Sequence, residues 1–227
     1  MARRMQRGFC HGLPGREPTV KTARRRVASL ATATLLPAAL LLASPQPASA
    51  DELWNLTSGS VRVRCSLTLG GSFDATTSAI SGSLRRTESD ATYAGALRVD
   101  LAPLDTGIEL RNSHLRETYL EVARGDQFRH ATLTGIALAV PLPPDTVRHE
   151  TSFSGRLALH GVEMPVAGGV ELSRRDGGIQ VQATFSLSLE AFDIQPPRYL
   201  GVGVRDEVGI LVTFDAVSGS SPTGGSR

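Results

Sequence analysis

Arg111 and His114 are the first candidates for polar chemistry, because residues three apart share one face of a helix. The planar guanidinium of an arginine suits phosphate or carboxylate oxygens, so this pair could hold the polar head of an amphiphile near the end of a barrel. The alternative is structural: Arg111 would pair with Asp105 or Glu109, and His114 would bond a backbone carbonyl. The sequence slightly favours this second interpretation.

His160 ends an apolar alternating segment just before Gly161, so a turn-stabilising role is favoured over that of a ligand or base. His130 and His149 fall in predicted loops, where solvent would surround them. The histidines are scattered without the H-x-H or H-x-x-x-H spacing of metal ligands, and no metal is expected.

Catalytic motifs are missing from the sequence. No G-x-S-x-G segment occurs, and Asp-Thr-Gly occurs once, at 105–107, whereas an aspartic-protease site needs two facing carboxylates. A hydrolase or isomerase using His114 or His160 stays open as a minor alternative. The sequence therefore predicts a protein that is not an enzyme.

The first fifty residues differ from the rest of the chain. They hold eight basic residues and one acidic residue, and Arg24-Arg25-Arg26 precedes an apolar run at 27–43 and the small residues Ala48-Ser49-Ala50. This order is typical of a secretory signal peptide cleaved near Ala50. We expect a periplasmic or secreted protein, with no stable membrane span after cleavage. The mature chain has a net charge of −5, which argues against nucleic acid as a partner.

Cleavage at that point would remove Cys10 and leave Cys65 alone in the mature chain. A disulfide within the mature chain is then impossible. Since Cys65 lies on an apolar strand face, a buried and unreactive thiol is expected.

Apolar and polar residues alternate in many short segments, which is the pattern of half-buried β-strands. Residues 61–69, 93–101, 153–159, 179–189 and 208–214 alternate most clearly, and weaker strands fit at 80–87, 131–140 and 165–173. One helix is expected, from Ile108 to Val122. About eight antiparallel strands at this length imply a barrel or a sandwich. We assign residues 51–217 to this domain and 218–227 to a disordered tail.

Small residues stand at three strand positions that should face inward: Gly95, Gly155 and Ala183. They could leave an elongated cavity inside a barrel. Alternatively, the two glycines relieve strand coiling around a filled core. Composition alone favours the filled core.

Four segments, in order, resemble the YceI-like family of exported, polyisoprenoid-binding proteins. They are LDTGI with RNSHL (104–115), FRHATL (128–133), GRLALHGVEMPV (155–166), and FDI at 192–194 followed by VRDEVGI at 204–210. The chain departs from the family pattern in having Asn112 where Asp is usual, and no His before Ser60. Its 194–201 tract is also longer and richer in proline. These departures indicate a divergent member.

The resemblance implies an all-β, extended, lipocalin-like antiparallel barrel of about eight strands with one short helix. It also implies a lumen that holds a lipid such as an isoprenoid or quinone, and no other cofactor. The inward strand residues expected to contact that chain are Leu97, Val99, Leu157, Leu159, Ile179, Val181, Phe185 and Leu187, with Arg111 and His114 at the head group. The alternative function is an envelope adaptor or protein-interaction barrel with a filled core, and a homodimer stays open.

Overall fold

The computed structural model describes residues 52–87, 91–143, 146–199 and 201–220. The predicted signal peptide at 1–50 lies outside the described residues, as do positions 221–227 of the predicted tail. The last strand runs to Ser220, so the first three residues of the predicted tail belong to the sheet.

Ten strands account for most of the described chain, because inward apolar residues alternate with outward polar ones along it. The strands are β1 Glu52–Leu67, β2 Ser72–Thr77, β3 Ile80–Arg86, β4 Thr92–Asp100, β5 His130–Leu138, β6 Arg148–Leu159, β7 Val162–Arg175, β8 Gly178–Ser188, β9 Arg198–Tyr199 and β10 Val202–Ser220.

The sheet closes on itself through β1. One edge of β1 pairs with β10, with Val61 opposite Val212, and the other edge pairs first with β3 and then with β2. β2 and β3 are therefore two halves of one wall strand, and the remaining order is β3-β4-β5-β6-β7-β8-β10. The result is a closed antiparallel barrel with eight strand positions, which confirms the predicted fold class. The short β9 pairs only with the start of β10.

The two ends of the barrel carry different connections. At one end, which we call the helical end, lie the segment between β4 and β5, the β6–β7 turn, and the segment between β8 and β10. At the other, the terminal end, β1 begins and β10 ends, beside the β3–β4, β5–β6 and β7–β8 connections.

The helix predicted at 108–122 forms as a series of short turns. It consists of α1 Glu109–His114 and a π-helical turn Leu115–Tyr119, and 3₁₀ turn Val122–Arg124 and α2 Asp126–Arg129 follow. A second 3₁₀ turn covers Glu190–Phe192. No helix among the described residues has the length and apolar character needed to cross a membrane.

Apolar side chains from these connections fill the helical end of the barrel. Residues of the β4–β5 segment and of the segment after β8 join the main hydrophobic core: Leu101, Leu104, Leu120, Phe192 and Ile194. Of the residues at the predicted helical spacing, Leu115, Tyr119 and Val122 pack against that core, whereas Ile108 is exposed.

Candidate functional site

The inward faces of the strands enclose an apolar cavity along the barrel axis. All eight strand residues predicted to contact a ligand line it: Leu97, Val99, Leu157, Leu159, Ile179, Val181, Phe185 and Leu187. That they touch a ligand stays a prediction, but the structure places them around one space.

Hydrocarbon surrounds this space almost completely. Among the lining side chains only Trp54 and Tyr93 carry a polar atom, and none is charged. The volume is about 190 Å³. An engineered cavity of about 150 Å³ in another protein binds benzene, and pockets for drug-sized ligands hold roughly 300–1,000 Å³. The cavity therefore suits a slim apolar chain, and a longer chain needs lining side chains to change rotamer.

Several lining residues of β8 and β10 face inward yet keep partly exposed surface, including Ala183, Phe185 and Ile210. Phe185 packs edge-to-face against Phe153, with 5.7 Å between ring centroids. Inward side chains that are only partly covered are what an incompletely filled barrel produces. The filled core that composition favoured is therefore wrong for this part of the barrel.

The glycines predicted to leave space do not create the cavity. A Cβ on Gly95 would lie 2.2 Å from the carbonyl oxygen of Ser83, and one on Gly155 would lie 3.0 Å from Leu133 and 3.1 Å from the oxygen of Thr134. At these positions the neighbouring strand has moved in, so the glycines allow the sheet to coil tightly. Of the three small residues, only Ala183 lines the cavity.

Arg111 and His114 lie at the helical end and do not line the cavity. The Arg111 guanidinium stacks over the Phe73 ring, 4.2 Å from its centroid, and His114 is exposed. The predicted structural partners are engaged elsewhere, since Asp105 accepts a hydrogen bond from Asn112 and Glu109 pairs with Arg116. Within the described residues, neither the predicted Arg111 ion pair nor the predicted His114 carbonyl bond forms.

Cys65 faces inward beside Phe73 on the neighbouring strand. Burial is the main reason that the pKa of its thiol is raised to about 11, and the negative charge of Asp74 adds to this rise. The thiol is thus protonated at neutral pH and a poor nucleophile, in agreement with the predicted inert cysteine.

His160 is buried in the β6–β7 turn and joins three connections at the helical end. Its Nδ1 lies 3.2 Å from the carbonyl oxygen of Phe192, so Nδ1 carries the proton and donates. Its Nε2 lies 3.3 Å from Oε2 of Glu121, in poor hydrogen-bond alignment, and its ring meets Phe128 edge-on. Every contact is structural, which supports the turn-stabilising interpretation over a catalytic one.

The other two histidines are not loop residues, because both lie on strands. His130 opens β5, with Nδ1 2.9 Å from Asp126 and 2.8 Å from Arg98. His149 lies on β6, where its Nε2 is 3.3 Å from the carbonyl oxygen of Val140. Among the described residues no three histidine, cysteine or acidic side chains are placed to hold a metal ion.

Two arginines that were not predicted as site residues lie on the inner wall at the terminal end. Arg174 is the next inward residue after Leu172 on β7, and Arg86 is the next after Leu84 on β3. Both leucines line the cavity and the arginines do not, so each arginine lies one inward position beyond the lining, toward the terminal end. The sequence alternation could have predicted both positions, because each arginine is two residues after an inward-facing leucine and therefore lies on the same face of its strand.

Comparison with known proteins agrees with this architecture. The family model described as the YceI-like domain matches residues 54–216. A polyisoprenoid binding domain from Saccharophagus degradans, described as implicated in plant cell wall breakdown, superposes with a TM-score of 0.57 at 16% identity, covering 73% of this chain and 98% of that one. BcnA from Burkholderia cenocepacia gives 0.55 at 16% identity, covering 69% and 96%. At such identities the structures demonstrate a shared fold. No curated protein sequence matches the chain.

Proposed function

The chain belongs to the YceI-like domain family, and from that premise we propose that it is a non-catalytic carrier of a long apolar amphiphile. A polyisoprenoid or a quinone-type lipid is the expected cargo. The proposal places the protein in the periplasm or outside the cell, on the basis of the predicted signal peptide. The observation that carries it is the apolar cavity along the barrel axis.

Burial of hydrocarbon is sufficient to drive such binding. Each methylene removed from water contributes about 0.8 kcal/mol, and the lumen offers apolar contacts on every side. A polar head group inside the lumen would lose its hydrogen bonds to water and gain almost none from the wall. The cargo must therefore keep its head group at one end of the barrel.

A role in binding without chemistry is also supported by what the wall lacks. Apart from the phenol of Tyr93, no side chain that could act as acid, base or nucleophile occurs among the lining residues, and His160 is occupied by its turn contacts. The printed description of the Saccharophagus degradans structure as a polyisoprenoid binding domain is consistent with this cargo class. The adaptor alternative is less well supported because it assumed a filled core.

Native mass spectrometry provides the test. The full chain is expressed with its own leader, recovered from the periplasm or medium, and weighed before and after denaturation. We expect a discrete mass that is lost on denaturation and identified as a lipid. Protein that carries no lipid and takes up neither farnesol nor a quinone would overturn the proposal.

Ala183→Phe tests whether the lipid lies in the lumen, because Ala183 lines the cavity and a phenylalanine side chain there would occupy part of the space. Gln182→Phe is its matched partner, since Gln182 is the adjacent, exposed, outward residue of the same strand. We expect Ala183→Phe to reduce lipid uptake by at least tenfold and Gln182→Phe to leave it unchanged. Equal uptake by both variants would place the lipid outside the lumen.

A further inference from the structure

Arg174, near the terminal end of the lumen, has a hydrogen-bond donor that no acceptor in the described chain satisfies. Its Nη2 donates to the carbonyl oxygen of Pro143 at 3.2 Å, while its Nε is buried and has no hydrogen-bond partner. Among the described residues no carboxylate pairs with it. A guanidinium offers five donors, and a buried donor without an acceptor is costly, so an acceptor from outside the chain would be bound favourably.

Several other arginines near Arg174 or elsewhere on the barrel pair with carboxylates. Arg148 of β6 pairs with Glu171 at 2.7 Å, and Arg129 of α2 pairs with Asp100 at 2.8 Å. Arg86 occupies the equivalent rim position on β3, and its Nε is also buried without an acceptor, but there Glu52 supplies the opposite charge. Arg174 is thus an inner-wall cation of the terminal rim that lacks an anion within the described chain.

The surroundings of Arg174 favour an anion over a neutral group. Leu172 and Ile179, its neighbours on the inner wall, both line the apolar cavity, so hydrocarbon instead of water covers one side of the half-buried Arg174. The polar inner side chains of adjacent β6, His149 and Thr151, are already engaged with the backbone of Val140. Among the described inner-wall residues of this rim, Arg174 is therefore the cation with an unused donor and no carboxylate partner.

We propose that Arg174 binds the anionic head group, phosphate or carboxylate, of an amphiphile whose chain occupies the lumen. The cargo then lies with its head at the terminal end and its tail toward the helical end, which Leu101, Leu104 and Leu120 fill. This inference rests on the proposed carrier function and deepens it. It moves the head-group site from Arg111, where the sequence analysis placed it, to the opposite end of the barrel.

Three probes test the proposal, because they share the same isoprenoid hydrocarbon skeleton and differ in the head group: farnesyl phosphate, farnesoic acid and farnesol. We expect the wild-type protein to bind at least one of the two anions about ten- to a hundredfold more tightly than the alcohol, as a charge-assisted contact would give. The tighter of the two identifies the anion. The preference should weaken as salt is raised.

Arg174→Met should abolish this preference, because it should weaken the binding of the anions far more than the binding of farnesol. Arg175→Met is the matched control, because Arg175 is the next residue, is exposed, and bonds only Gln180 among the described residues. Arg174→Lys keeps the charge without the planar fork and should retain part of the preference. It also tests the proposal if the methionine variant does not fold.

The possible failures are distinguishable. If farnesol and both anions bind the wild type equally, or if Arg174→Met and Arg174→Lys keep the full preference, the head-group inference is wrong and the carrier function stands. If Arg111→Met removes the preference instead, the head lies at the helical end and the inference is also wrong. If none of the three probes binds, the carrier function and the inference fail together.

Discussion

Asn112, which stands where the resemblance to the YceI-like pattern predicts Asp, organises the entry into the helical segment. Its Oδ1 accepts hydrogen bonds from the backbone N–H of Thr106 at 2.8 Å and from the Thr106 hydroxyl at 2.7 Å. Its Nδ2 donates to Asp105 at 2.8 Å. This hydrogen bond, with a second from the N–H of Gly107, holds the pKa of Asp105 below its usual value. The polar residues of this motif are therefore used to build a loop.

Asn112→Asp should destabilise the protein at neutral pH. A second carboxylate would replace the amide that now donates to Asp105, and two adjacent carboxylates repel unless one is protonated. The deficit in melting temperature relative to the wild type should be largest near pH 7. It should shrink near pH 4, where the pair can share a proton. Asn55→Asp, at an exposed position on β1, is the control. An unchanged melting temperature at pH 7 would contradict this account.

At the residue scale, the sequence predicted which apolar side chains face the lumen better than it predicted the partners of charged side chains. Alternation alone placed Leu157 and Val181 on the lumen, because a strand has only two faces. It could not place Arg111, whose partner Phe73 comes from a distant strand. Nor could composition show that Gly155 is packed against Thr134, since that depends on how closely neighbouring backbones approach.

At the scale of elements, the regular strands were predictable and the irregular pieces were not. The sequence of β2 shows no strong alternation. Its extended backbone is stabilised by pairing with β1 on one side and by an isolated bridge between Thr76 and Asp105 on the other. The helical segment breaks into α, π and 3₁₀ turns because its residues must cover the barrel end, so tertiary packing overrides one continuous helix.

The helical end is fixed by a contact between two residues with left-handed backbone. Glu121 has φ 49° and His160 has φ 53°, conformations that non-glycine residues adopt only where their surroundings hold them. Arg124 bonds the Glu121 carboxylate at 2.6 Å, and His160 lies on its other side. This arrangement links the β4–β5 segment to the β6–β7 turn.

Acid should weaken the helical end. The hydrogen bond from Arg124, followed by the positive charge of Arg124, lowers the pKa of Glu121 below 4.5, and His160 adds to this to a smaller extent. A carboxyl with a depressed pKa stabilises the fold above its unfolded pKa and loses that contribution as pH falls through the folded value. Hydrogen-exchange protection of residues 119–129 should therefore decrease as pH falls below 4.5, the ordinary pKa of a glutamate side chain.

Glu121→Gln should give low protection in residues 119–129 already at neutral pH, and little further loss on acidification. Glu109→Gln, which removes an exposed partner of Arg116 on α1, is the control and should keep the wild-type pH profile in these residues. If Glu121→Gln keeps that profile as well, the contact between Glu121 and His160 does not hold the helical end.

For the molecule as a whole, the structure predicts a lumen of limited length. Neighbouring strands approach closely at the glycines, so the barrel wall cannot widen there by a change of side chain. A Cβ on Gly168, for example, would lie 2.2 Å from the carbonyl oxygen of Thr184. Leu101 and Leu104 project from the β4–β5 segment into the lining at the helical end. Space for a longer chain must therefore come from rotation of side chains such as Phe185, since neither the wall nor the helical end offers it.

This geometry predicts a break in affinity along a series of saturated alcohols of increasing chain length. Each added methylene should tighten binding by about 0.8 kcal/mol, roughly fourfold, while it enters the lumen. Further methylenes should add little once the chain fills the space between the two ends, because the excess projects into water. Dissociation constants from competition with a fluorescent lipid would locate the break, and Ala183→Phe should move it to shorter chains. A steady gain through the longest alcohols would contradict a closed helical end, because only a chain that continues past Leu101 and Leu104 could keep losing contact with water.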